Sequence, residues 1–270
     1  MKPKYFSIPY IGWMALFVIV PIILVFVYAF TTPDGYFTLR NFSDMELFLP
    51  VFIRSFRLAF IATMLCILLG YPVAYILARE VSRVQRVLFM LIMLPLWMNF
   101  LLRTYAWMSI LENTGLLNQL LTLLNLPTIR IINTEIAVVI GMVYNFLPFM
   151  ILPIYSVIVK IDKSLLEAAN DLGANSFSVF RKLIVPLSIP GILSGVTMVF
   201  VPAVSAFVIT QLLGGGMVFL LGDLIEMQFL GTAHNPHVGS AISLIMMMVV
   251  IIFVIVMNKF GSGEGKAVRL

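Results

Sequence analysis

The sequence predicts an all-α, polytopic membrane protein with six transmembrane helices, and three observations carry that expectation. The 270 residues are 61% hydrophobic and 11% charged, with a mean hydropathy of +1.08, far more apolar than a soluble domain. Apolar runs at 8–30, 58–77, 87–111, 136–159, 189–213 and 238–257 are each long enough to cross a hydrocarbon core of about 30 Å as a helix. Finally, Lys2, Lys4, Arg79, Arg83, Arg86, Lys160, Lys163, Arg181, Lys182, Lys259, Lys266 and Arg269 fall on one side of those runs, with Arg40 and Arg130 on the other. This positive-inside bias puts both termini and the 160–186 loop in the cytoplasm. The net charge of +5 is therefore a topology signal, and nucleic acid is rejected as a partner.

The first run follows basic residues as a signal peptide would, but it is too long and has no small-x-small cleavage pattern, so it reads as a retained span. A connection with a turn at Thr32-Pro33-Asp34-Gly35 leads to the second span, which has Arg54 and Arg57 at its foot and holds Cys66, the only cysteine. The third span is broken by Arg103. After it, an apolar stretch at 116–126 ended by Pro127 is too short to cross and reads as interfacial or re-entrant. The fourth span leads into the 160–186 loop. Between the fifth and sixth, Gly214-Gly215-Gly216 opens a connection that carries Asp223 and Glu226. Prolines 72, 95, 148, 153 and 202 predict kinks within spans. The whole chain reads as one membrane domain, 1–270, with the 160–186 loop inside it.

No enzymatic constellation emerges. His234 and His237 flank the helix-breaking Pro236 and have no third ligand nearby, so no metal is expected. The glycine-rich tail at 261–267 lacks the second glycine and the Ser or Thr that a phosphate loop needs. The chain is expected to bind no cofactor, so energy must come from a partner or an ion gradient. An ion-coupled secondary carrier usually needs an intramembrane carboxylate relay, and no acid lies deep in any run. Arg103 is the one charge inside a span. On a helix it shares a face with Asn99, and it reads either as an arginine snorkelling among belt aromatics or as a gate or partner contact.

The loop is the most specific feature. Ser164-Leu165-Leu166-Glu167 has the form of a capping box and predicts a helix from about Leu165, stopped by Gly173 in the left-handed region. Ser176 is placed to cap a second short helix with Phe177, Phe180 and Ile184 on its apolar side. This helix–turn–helix, with Glu167-Ala168-Ala169, then Gly173, then Leu183-Ile184-Val185-Pro186, resembles the EAA loop of the permease subunits of bacterial ABC importers. The resemblance implies a type I importer permease (MetI-like) fold. It also implies a loop that plugs into a groove on a separate ATPase, where ATP and Mg are bound, with Glu167, Ala168, Ala169, Asp171, Gly173 and Pro186 forming the coupling contact.

Leu69-Gly70-Tyr71-Pro72, the set Trp97, Asn99, Arg103 and Tyr105, and Leu147-Pro148-Phe149-Met150 extend the likeness to the polyamine branch of that family, the spermidine/putrescine importer permeases. What this implies is a multi-pass protein of the bacterial inner membrane, assembled with a second permease subunit, two copies of an ATPase subunit and an extracytoplasmic polyamine-binding protein. A polycation's pathway wants aromatic faces, each contributing about 0.5–2 kcal/mol through cation–π contact, or carboxylates. Trp97, Asn99, Arg103, Tyr105 and Tyr144 are the pathway candidates. Any buried carboxylate touching the amines is expected from the second permease, while Asp223 and Glu226 meet the binding protein or the solute's way in. An inorganic anion, ferric iron or an opine stays open as the carried solute.

Overall fold

The computed structural model describes residues 8–43, 45–231 and 234–263, so Lys2, Lys4, Lys266, Arg269 and most of the glycine-rich tail lie outside the described residues. In chain order the helices are α1 (Gly12–Ala29), α2 (Met45–Arg79), α3 (Ser82–Trp97), α4 (Phe100–Leu111), α5 (Leu116–Leu123), α6 (Glu135–Ile158), α7 (Lys163–Asp171), α8 (Ser176–Val204), α9 (Phe207–Leu213), α10 (Leu221–Phe229) and α11 (Pro236–Gly263). Among the described residues there is no β-strand, only an isolated bridge between Thr31 and Phe37. Helices α1, α2, α6, α8 and α11 are each long and apolar enough to cross a membrane, and α3 with α4 makes the sixth span if the bent pair is counted as one.

Two predicted spans are corrected. The third does not run straight through 87–111. It breaks after Trp97, and the chain bends by 92°. Pro95 near the end of α3 weakens its last turn, Met98 turns extended (φ −77°, ψ 147°), and the Asn99 side chain caps α4 by accepting from the Leu101 N–H at 2.8 Å. The fifth does not run through 189–213 either. It starts at Ser176, continuous with the second helix of the loop, and stops at Val204. Ala206 (φ −75°, ψ 56°) sits in a tight reverse turn closed by the Phe207 N–H on the Ser205 carbonyl at 2.8 Å, and α9 starts anew.

Two elements differ only in extent. Helix α2 begins at Met45 and runs for 35 residues, so Arg54 and Arg57 lie inside it. At about 1.5 Å per residue it is roughly 52 Å long, well beyond a hydrocarbon core. The short helix α5 stops before Pro127 because Asn125 takes a left-handed φ of 56° and the Leu126 N–H returns to the Leu121 carbonyl. Buried Asn118 ties it down, donating to the carbonyl of Ile129 and accepting from its N–H.

The core is built by α2, α6 and α8. Small residues set their approach. A β-carbon at Gly195 would lie 2.7 Å from the Met150 sulfur and 3.2 Å from the Met150 carbonyl oxygen, and one at Gly191 would lie 2.8 Å from the Pro153 carbonyl. Helices in lipid associate through such close contact because lipid tails are as apolar as the side chains. Helix α1 is exposed along nearly all its length and packs on α11, where the Tyr28 carbonyl meets His237 Nδ1 at 3.1 Å. His234 meets the Phe229 carbonyl instead, so the two histidines serve different backbone groups.

Gly195→Ala is expected to destabilise by about 1–3 kcal/mol, because the packed helix behind it must move. Gly12→Ala, which meets nothing within 4 Å, is the control. Thermal unfolding of the purified protein in detergent checks the pair, and equal melting temperatures would contradict this packing.

Candidate functional site

The 160–186 loop folds as an elbow at one end of the bundle. Its first helix, α7, starts at Lys163, two residues earlier than a Ser164 cap predicts, because Asp162 supplies the cap by accepting from the Ser164 N–H at 3.0 Å. The backbone N–H and hydroxyl of Ser164 hold the Asp162 carboxyl below the usual carboxylate range. Helix α7 ends as the glycine predicts: Gly173 has φ +78°, and the Ala174 N–H returns to the Ala169 carbonyl at 3.0 Å in a Schellman-type closure. The second helix is capped by Asn175, whose side chain accepts from the Ser178 N–H at 2.8 Å, so Ser176 is its first residue and not its cap.

This folding sorts the candidate coupling residues by face. Glu167, Ala168, Asp171 and Gly173 are exposed, while Leu166 and Ala169 turn inward against the bundle. Leu172, 88% exposed, and Phe177 present apolar surface beside them. Glu167 also lines a cavity of about 310 Å³ shared with Arg79 and Glu80 at the end of α2 and Ile158 at the end of α6. Pro186 lies further on, in α8 just past a π-helical turn at Phe180–Ile184, in which the Val185 N–H donates to the Phe180 carbonyl. Proline has no N–H to give the carbonyl four residues back, and a widened turn accommodates that loss.

The pathway candidates do not gather in one place. Trp97 is 82% exposed and Tyr105 and Asn99 are exposed, whereas Arg103 is only 6% exposed. Tyr144 packs on Trp107, ring centroids 5.3 Å apart, and not on Tyr105 or Trp97. The Arg103 Nε and Nη1 are buried without a hydrogen-bond partner, and its guanidinium carbon lies 5.9 Å from the Phe100 ring centre. That geometry does not describe a snorkelling arginine.

At the end of the bundle away from the elbow, α9 and α10 enclose a cavity of about 380 Å³ lined by Thr210, Gln211, Asp223 and Glu226. Glu226 is held by the Gln211 amide. Asp223 is buried: its Oδ2 accepts from the Leu220 N–H at 2.9 Å, and both carboxyl oxygens lie within 2.8 Å of Thr210 Oγ1. Burial pushes the Asp223 carboxyl above the usual carboxylate range, the hydrogen bonds from Thr210 and Leu220 oppose this, and the charge of Glu226 adds to the rise. Thr210 Oγ1 also lies 2.7 Å from the Phe207 carbonyl. A threonine has one proton, so the Thr210 hydroxyl donates to the Asp223 carboxyl or to the Phe207 carbonyl and not to both at once.

The residue reading missed Thr210 and Gln211, which looked like ordinary span residues. It also missed the pairing of Glu135 with Arg54 at 3.3 Å and Arg57 at 2.6 Å, which joins α2 to α6 near the same end. Two arginines three apart at the foot of one span and an acid at the start of another were the available signal. Exposed as they are, such pairs contribute about 0–1 kcal/mol each.

Comparison with known proteins gives concordant matches. The sequence profile of the family described as binding-protein-dependent transport system inner membrane component matches residues 5–260. The chain is 42% identical over 256 residues to the spermidine/putrescine transport system permease protein PotB of Haemophilus influenzae, covering 90% of this chain and 89% of that one. It is 39% identical over 270 residues to the protein of the same name from Escherichia coli K12, covering 96% and 98% of the two chains. Its fold is similar to that of a bacterial alginate ABC transporter crystallised with an alginate pentasaccharide-bound periplasmic protein, with a TM-score of 0.77 at 16% identity, covering 96% of this chain and 93% of that one.

The upward shift of the Asp223 carboxyl implies a pH dependence. A carboxyl whose folded pKa exceeds its unfolded value of about 3.9 adds stability below that value, and the contribution is lost as pH rises through the folded value. Asp223→Asn keeps an acceptor for the Leu220 N–H and removes the titrating group, so it should flatten the curve of melting temperature against pH above about 4. Parallel curves for the two proteins would contradict this assignment.

Proposed function

Since this chain belongs to the family of binding-protein-dependent transport system inner membrane components, we propose that it is the permease subunit through which an ATP-driven importer moves spermidine and putrescine across the bacterial inner membrane. One observation carries the choice of solute: identity of about 40% across nearly the whole chain with two permeases named for those polyamines. The subunit itself performs no covalent chemistry and binds no cofactor.

In this reading the elbow end faces the cytoplasm together with both termini, as the distribution of lysine and arginine supports. The exposed side of α7, with Glu167, Ala168 and Asp171, enters a groove on one of two ATPase subunits, which hold ATP and Mg. Ala168 has a small side chain, so a partner surface can approach the helix backbone closely. Gly173 fixes the angle between α7 and α8, so a movement of α7 is delivered to α8 and is not dissipated in the turn. Pro186 shapes the start of that span. At the opposite end a loaded polyamine-binding protein docks, and the acids of the α9–α10 cavity, Asp223 and Glu226, lie at the solute's way in.

Between the two ends, a second permease subunit completes the pathway. Exposed Trp97 and Tyr105 offer aromatic faces that attract ammonium groups. Asn99 adds a polar group at the break in the third span, and Tyr144 stands behind Trp107. Buried Arg103 does not share their exposed surface, so its positive charge need not face a polycation. Closure of the ATPase pair on ATP turns the permeases toward the binding protein, and hydrolysis and release of its products return them to the cytoplasmic-facing state.

Uptake of radiolabelled spermidine by cells expressing the complete set of subunits, with and without this chain, tests the reading. Uptake is expected to vanish without the chain, and unchanged uptake would remove the polyamine assignment. Labelled phosphate and ferric iron run in parallel identify a different solute. In the same cells the order Gly173, Gly173→Asn, Gly173→Ala is expected to give falling uptake, because a β-carbon in the left-handed region costs about 1–2 kcal/mol and asparagine tolerates it best.

A further inference from the structure

Tyr71 and Tyr75 on α2 meet Phe180 and Ser188 on α8 and join the foot of α8 to α2. Tyr71, Tyr75 and Arg79 recur every fourth residue and so form one stripe along α2. The Arg79 guanidinium lies 4.5 Å from the centre of the Tyr75 ring. Phe180 stands edge-on to both tyrosines, with centroids 5.8 Å from Tyr71 at 81° and 5.0 Å from Tyr75 at 76°. Two turns further along α8, Ser188 Oγ lies 2.9 Å from the Tyr71 hydroxyl and donates to the Val185 carbonyl, also at 2.9 Å. The single serine proton is thereby used, which makes Tyr71 the donor to Ser188.

The π-helical turn at Phe180–Ile184 is what brings these groups into line. In a regular helix of 3.6 residues per turn, positions eight apart differ by roughly 80° around the axis. A π turn takes about 4.4 residues, and one such turn plus one α turn makes two whole revolutions in eight residues. Phe180 and Ser188 thus face α2 together. Read at 3.6 residues per turn they would sit at opposite edges of one face, roughly 80° apart.

We infer that Phe180, wedged against Tyr71 and Tyr75 and locked in register by the Tyr71–Ser188 hydrogen bond, is the positioning residue through which movement of the elbow reaches α2. This rests on the transport reading given above and adds the path that a stroke follows inside the subunit. An ATPase pulling on α7 and the start of α8 moves Phe180, because Phe180 belongs to the same continuous helix. Edge-to-face contacts resist rotation and sliding more than aliphatic packing does, since the ring edge must stay over the neighbouring face. The force therefore passes into α2 at Tyr71 and Tyr75, one to two turns from its end. Arg79, seated over Tyr75, steadies the ring at the cytoplasmic edge.

The test uses the complete complex in proteoliposomes, with the second permease, the ATPase pair, the binding protein and spermidine, and reads spermidine transported per ATP hydrolysed. Phe180→Ala is expected to lower that ratio about tenfold while assembly and basal hydrolysis persist, because two aromatic contacts are lost. Phe180→Tyr, which keeps both ring contacts, should restore the ratio to within about twofold. Tyr75→Leu, on the other side of the joint, should reproduce the loss. The inference is overturned by an unchanged ratio in Phe180→Ala, by transport and hydrolysis falling in proportion, or by loss of assembly in both Phe180→Ala and Tyr75→Leu, which would mark plain packing. A wild-type complex that hydrolyses ATP yet carries a different solute removes only the polyamine assignment, and the ratio for that solute then tests the joint. A wild-type complex that retains no ATPase removes both.

Discussion

Close approach between helices at positions lacking a side chain is the constraint on which this structure depends. Within a bilayer, apolar side chains gain little by exchanging lipid for one another, so helices hold together by van der Waals contact and a few hydrogen bonds. Gly191 lies against the Pro153 backbone and Gly195 against Met150, while the Met150 side chain also touches Gly70. These contacts draw α2, α6 and α8 into one frame. The remaining elements are attached to it: α11 along α8 and α10, α1 along α11, the elbow at one end and the half-helices at the other.

The second requirement is that each opened backbone hydrogen bond be closed locally. At the break between α3 and α4 the Met98 N–H returns to the Pro95 carbonyl and the Asn99 side chain takes up a donor of α4. Between α8 and α9 the Phe207 N–H returns to Ser205, and the Ser205 carbonyl faces the glycine at 222, where a β-carbon would lie only 2.5 Å away. Non-helical backbone at membrane depth is tolerated where protein or a cavity surrounds it. Asn99, Thr210 and Gln211 lie at or just beyond these two breaks, and Asp223 in α10 meets Thr210 across the cavity, where polar groups have partners to meet.

Much of this architecture was legible in the residues, and the exceptions have physical reasons. The spans could be read from hydropathy because a membrane helix must be apolar on every exposed face. The turn at Gly173 could be read because a left-handed residue after a helix is so often glycine. The caps were misplaced by one or two residues: Asp162 stands two before Ser164 and Asn175 directly before Ser176, and only the three-dimensional path decides which oxygen reaches the free N–H groups. The break at Met98 was hidden inside an apolar run, and the stop at Val204 was hidden because 205–213 is nearly as apolar as the span before it. The burial of Asp223 and the joining of Glu135 to Arg54 and Arg57 come from distant elements, so hydropathy and local spacing could not supply them. The exact register of Phe180 with Ser188 depends on a π turn, which spacing at 3.6 residues per turn does not reveal.

Helix α2 is longer than the membrane is thick, and it carries the Arg54 and Arg57 pair toward one extremity and the Tyr71, Tyr75 and Arg79 stripe toward the other. With its midsection clamped by α6 and α8, it has the mechanics of a lever with a fixed fulcrum. A few degrees of tilt at the fulcrum displace both tips by ångströms in opposite senses, so pressure on one face of the membrane is felt as motion on the other without any change in helix length or hydrogen bonding.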